Sequence, residues 1–121
     1  VAMAYEAFKN DDLSLARRIE PLEETIDAIQ DTLKYRHIKR LKSGMCTIDA
    51  GLVFLEILTN IERISDHCSN IAVYLIGRHQ DGEILNRHEY IKKVHQGNAE
   101  EYSRLMKNYM AQYMAALPSE D

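Results

Sequence analysis

Two runs of apolar residues, spaced alternately three and four apart, limit what this chain can fold into. Leu15, Ile19, Leu22, Ile26, Ile29 and Leu33 form the first; Phe54, Ile57, Ile61, Ile64, Cys68, Ile71 and Leu75 form the second. That step follows the 3.6-residue turn of an α-helix and draws one apolar stripe along it, whereas a strand would need a period of two. Each stripe is a seam that a neighbouring helix must cover. Ser43-Gly44, a turn signal, lies between them. The pattern predicts an antiparallel hairpin of helices over about 11–42 and about 47–78. Each would be roughly 45 Å long at a rise of 1.5 Å per residue.

Local signals refine the boundaries. Asp11 or Asp12 is the expected N-cap of the first long helix. Pro21 falls inside its pattern and removes the donor that would bond the Arg17 carbonyl, so a kink is expected there. Residues 1–9 read as the last turns of an earlier helix, with Ala2, Tyr5 and Phe8 at helical spacing; the chain opens on Val1, and the first part of that helix is expected upstream. The polar stretch from Arg78 to Arg87, with Asp81-Gly82, reads as a loop. A helical piece follows from His88-Glu89 to His95, and Gln96-Gly97-Asn98 breaks it. The last helix, Ala99 to Ala116, presents Tyr102, Leu105, Met106, Tyr109, Met110 and Tyr113 before Pro118 stops it. The fold class is all-α: an antiparallel helical bundle, with residues 1–121 as one domain.

Composition narrows the function. Fifteen Lys and Arg against nineteen Asp and Glu give a formal charge of −4, a poor match to the basic footprint of nucleic-acid binders. No apolar run reaches the roughly 18 residues of a membrane span, and no signal peptide is recognisable. Two cysteines cannot build a disulfide framework and point to a reducing compartment.

The residues best placed for chemistry are acidic. Glu23 and Asp27 are four apart, as are Glu62 and Asp66, so each pair shares a helix face beside its apolar stripe. In an antiparallel hairpin the two pairs could approach. Four converging carboxylates repel unless protonated or bridged by cations, and oxygen-rich sites suit hard or borderline metals. The plainer alternative is a solvated face. Arg17, Arg18, Lys34 and Arg63 are near enough in sequence to pair with these acids, and Glu20, Glu24 and Asp31 form an equally regular acidic stripe. A ferritin-like di-iron site is set aside, because no Glu-x-x-His motif occurs. His37, Cys46, His67 and Cys68 match no paired zinc spacing, and Cys68 belongs to the apolar seam.

The stretch Thr59-Asn60-Ile61-Glu62-Arg63-Ile64-Ser65-Asp66-His67-Cys68-Ser69-Asn70-Ile71-Ala72 resembles the signature helix of PhoU domains. Glu23-Glu24-Thr25-Ile26-Asp27 looks like the acidic motif of the preceding PhoU helix. A narrower resemblance is carried by His37-Ile38-Lys39-Arg40-Leu41, Gly44-Met45-Cys46, Gly51 and the tail with His88-Glu89-Tyr90 and His95. These look like the PhoU-like C-terminal domain of bacterial sodium/phosphate cotransporter family proteins.

The resemblance implies a regulatory role in phosphate uptake rather than catalysis. It implies a location on the cytoplasmic side of the plasma membrane, a homodimer, and contact with the transporter part of the same polypeptide or with a phosphate-signalling protein. In full PhoU proteins, which carry two three-helix repeats, the acidic motifs hold iron or zinc clusters. Carried over, those ligands fall on Glu23, Asp27, Glu62 and Asp66, with Asn70 supporting through hydrogen bonds. This chain holds one repeat and a shorter extension, which leaves such sites incomplete or dependent on a second chain. Two other readings stay open: a free-standing PhoU-like regulator and, further off, a carboxylate metalloenzyme.

Overall fold

The computed structural model describes residues 1–79, 88–92 and 99–119. Among them lie α1 (Ala2–Asn10), α2 (Leu13–Ala16), α3 (Ile19–Lys42), α4 (Ile48–His79) and α5 (Ala99–Met114), with a helical stretch at 88–92. No strand occurs among the described residues, and the fold is the expected helical bundle. Of the loop expected from Arg78 to Arg87, Arg78 and His79 instead continue α4; the rest of it, the end of the helical piece at His95 and the break at Gln96-Gly97-Asn98 lie outside the described residues.

The hairpin forms as the turn chemistry dictates. Ser43 ends α3, Gly44 takes φ 73, and Thr47 Oγ1 accepts the Ala50 N–H at 3.2 Å to open α4. Antiparallel pairing is visible in the partners: residue 20 meets 69, residue 30 meets 58, and residue 37 meets 51. On the hairpin, α5 packs against α3, while α1 and α2 pack against α4. The apolar core sits at the end away from the turn. There Ala4, Ala7, Ala16, Ile19, Ala72, Val73, Leu75, Ile76 and Tyr90 are buried together.

Two expectations change. The first long helix does not run kinked from 11 to 42; it is broken. Asp12 caps the one-turn α2, its Oδ1 accepting the Leu15 N–H at 3.0 Å. The chain then passes through Arg17 and Arg18, with Arg18 N–H reaching the Leu15 carbonyl three residues back, and restarts at Ile19. Pro21 is the cause: it sits in the first turn of α3, where its missing N–H would have no partner anyway.

The second change is on α4. The face turned to α3 carries Gly51, Leu58, Ser65 and Ser69, all buried, and beyond the start of α3 Ala72 and Ile76 are buried in the core with α1 and α2. The apolar stripe lies to one side of it. Leu75 is buried and Cys68 half-buried, but Ile57, Ile61 and Ile64 stay 51%, 44% and 50% exposed. Small side chains let α3 approach closely, so close approach rather than bulk apolar area sets the helix rotation.

Candidate functional site

The four acids sit in different surroundings. Glu23 is buried and lines an apolar groove of about 220 Å³ between α1, α3 and α4, with Val1, Ile19, Leu22, Ile26, Ile61, Ile64 and Ser65. Asp27 and Asp66 are half-buried, and Asn70 is exposed. Glu62 faces Lys34 Nζ at 3.7 Å across the hairpin. Thus Lys34, already named as a possible partner from its position in the sequence, stands where a cation would neutralise Glu62. Among the described residues, no group of three or more His, Cys, Asp or Glu is arranged to hold a metal ion.

The buried side-chain hydrogen bonds between helices lie on the α3–α4 seam. Ser69 Oγ donates to the buried Glu20 carboxylate. Gln30 Nε2 donates to the Leu58 carbonyl at 3.2 Å. His37 is buried with its ring 5.1 Å from Phe54, and the Gly51 backbone comes so near that a Cβ there would lie 2.9 Å from His37 Cε1 and Nε2. Two tyrosines cover the acidic end. Burial, with the Glu20 charge beside it, pushes the Tyr90 phenol up to about 12 against the opposing pull of Arg17. Burial, a hydrogen bond to Glu24 and the charges of Glu20 and Glu23 push Tyr102 well above the usual phenol range.

A separate clip joins the chain's first helix to the end of α4. Asp11, at φ 52 after α1, meets His79 Nε2 at 2.7 Å and Arg78 at 3.7 Å. The hydrogen bond to His79, with the Arg78 guanidinium nearby, holds the Asp11 carboxyl below its usual value. Sequence reasoning proposed Asp11 only as a cap and passed over the His79 contact, since no local pattern marks a partner 68 residues away. Glu20, set down as part of a competing stripe, proves to be a buried seam residue; its partner Ser69 sits four residues after Ser65, a small-residue spacing that signals close helix approach.

What the arrangement offers is surface: a groove and an exposed apolar stripe, beside a buried hydrogen-bonded seam. Comparison with known proteins gives the class. The PhoU domain family matches residues 1–75, which take in α1 to α3 and most of α4. The chain belongs to the PhoU domain family. It is similar to the phosphate-specific transport system accessory protein PhoU homolog 1 of Thermotoga maritima, being 27% identical over 73 residues, or 60% of this chain and 32% of that protein. The chain thus spans about a third of the length of that relative. No solved structure matches it. No described helix is long and apolar enough to cross a membrane.

Proposed function

We propose that this chain is a non-catalytic regulatory module of phosphate uptake, acting through contacts of its helical surface. The observation that carries the reading is the family match across the hairpin and α1. The exposed stripe of Ile57, Ile61 and Ile64 beside the groove supplies an apolar surface of the kind that partner proteins cover. In the narrower form of the proposal, the module is the cytoplasmic domain of a sodium/phosphate cotransporter and biases transport by contact with the membrane part. Self-association into a homodimer through the stripe belongs to the same proposal and is read by sedimentation.

A free-standing regulator is the second reading, favoured by the name of the Thermotoga relative, an accessory protein of a phosphate-specific transport system. The native gene product upstream of Val1 separates the two: several apolar spans of about 20 residues support the transporter, and a nearby initiator Met supports the free protein. Phosphate uptake by cells carrying Ile61→Glu/Ile64→Glu tests the common ground. These side chains are half exposed, so the bundle should fold while the surface is spoiled. Uptake should lose its response to phosphate supply; an unchanged response sinks the proposal.

A further inference from the structure

The turn end of the hairpin differs in charge from the rest of the chain. Residues 32–52 hold Lys34, Arg36, Lys39, Arg40 and Lys42 against a single acid, the exposed Asp49 in the first turn of α4, in a chain of formal charge −4. Lys34 faces Glu62, and Arg36 Nη1 donates to the Pro118 carbonyl at 2.6 Å. Lys39, Arg40 and Lys42 occupy the last turn of α3. Lys39 lies over the Tyr35 ring and Arg40 over the Phe54 ring, each at 5.7 Å.

Cations at a helix C-terminus are favoured by the helix dipole alone. The dipole does not account for what lies beside them. Met45 in the turn is 78% exposed, and Ile48 and Leu52, one turn apart on α4, are 75% and 62% exposed. Tyr35 and Ile38 are exposed on α3 at the same end. Long aliphatic side chains add nothing to phosphate-backbone recognition, which needs only cations and donors. A bilayer surface uses both kinds of group, since apolar side chains enter the acyl boundary while cations meet anionic headgroups.

We propose that the hairpin tip docks on an anionic lipid bilayer, with Met45, Ile48 and Leu52 inserted and Lys39, Arg40 and Lys42 at the headgroup phosphates. The inference is independent of the phosphate-uptake reading, because it rests on charge and exposure at the tip.

Vesicle co-sedimentation of the full chain tests it. Binding is expected to vesicles of equal parts phosphatidylglycerol and phosphatidylcholine, absent on phosphatidylcholine alone, and weakened by added salt. Lys39→Gln/Lys42→Gln should lower partition about 30-fold, at about fivefold per cation. Met45→Ser/Ile48→Ser/Leu52→Ser should abolish it with the circular dichroism spectrum unchanged; Met45→Ser alone, in the turn, should lower it and guards against a folding artefact. No binding to anionic vesicles at low salt overturns the proposal. Partition unchanged in the serine variants does the same, as does tighter retention by duplex DNA that those variants keep, which would give the tip to nucleic acid.

Discussion

The Ser69 hydroxyl of α4 donates to the Glu20 carboxylate of α3, and both side chains are at most 1% exposed. A buried carboxylate is costly unless its oxygens are bonded. Ser69→Ala leaves Glu20 buried with that donor gone, and should cost about 1.5–3 kcal/mol in urea denaturation. Glu20→Leu/Ser69→Ala should be less destabilised than Ser69→Ala alone, because the double change removes the buried carboxyl group as well. A single variant with the wild-type midpoint would show that the bond contributes nothing.

Gly51 sets how near α4 comes to α3. In an open helix, Gly→Ala gains about 0.5–1 kcal/mol. Here the new methyl would meet the His37 ring at 2.9 Å, and that ring is held against Phe54. The clash should win, giving a net loss of about 1–2 kcal/mol. Adding His37→Ala should recover part of it. Additivity of the two changes, measured by thermal unfolding, would show that the methyl meets no obstacle at His37.

The Asp11 clip makes stability depend on acid. Its folded-state pKa is lowered, so the contribution is present above the unfolded value near 3.8 and fades as pH falls through the lowered value. The thermal midpoint of wild type should therefore fall more steeply below pH 4 than that of Asp11→Asn. Asparagine tolerates the left-handed φ of 52, so the comparison isolates the charge. Parallel curves would remove the clip from acid sensitivity.

Iron and zinc can be tested directly. Protein purified without chelator, incubated with either metal and desalted, should retain less than one ion per chain, since Lys34 already faces Glu62 and no three-donor group is assembled among the described residues. Stoichiometric metal in wild type, lost in Glu62→Ala/Asp66→Ala, would mean that the acids converge on binding.

Periodicity was enough to place α4 and the body of α3, because an unbroken 3-4 step over six or seven apolar residues has no strand equivalent, but it ran on through the break between Ala16 and Ile19. The turn at Ser43-Gly44 and the cap at Asp12 were also legible, as their signals are local. The rotation of α4 was not. Its apolar stripe suggested the face toward α3, but Gly51, Ser65 and Ser69 permit closer contact on another side. Of the candidate acids, spacing showed which residues share a face of one helix. It could not say that Glu23 would be buried in a groove, or that Lys34 would reach Glu62; both depend on how two helices are turned toward each other.

The contact of Asp11 with His79 spans 68 positions, against 28 for Gln30 with Leu58. Closing a longer loop costs more chain entropy, and the hairpin must already exist before α1 has the far end of α4 to join. α1 supplies Ala4 and Ala7 to the core at that far end and Val1, Met3 and Ala4 to the groove, so the Asp11–His79 contact ties one wall of the groove to the apolar cluster that closes the bundle.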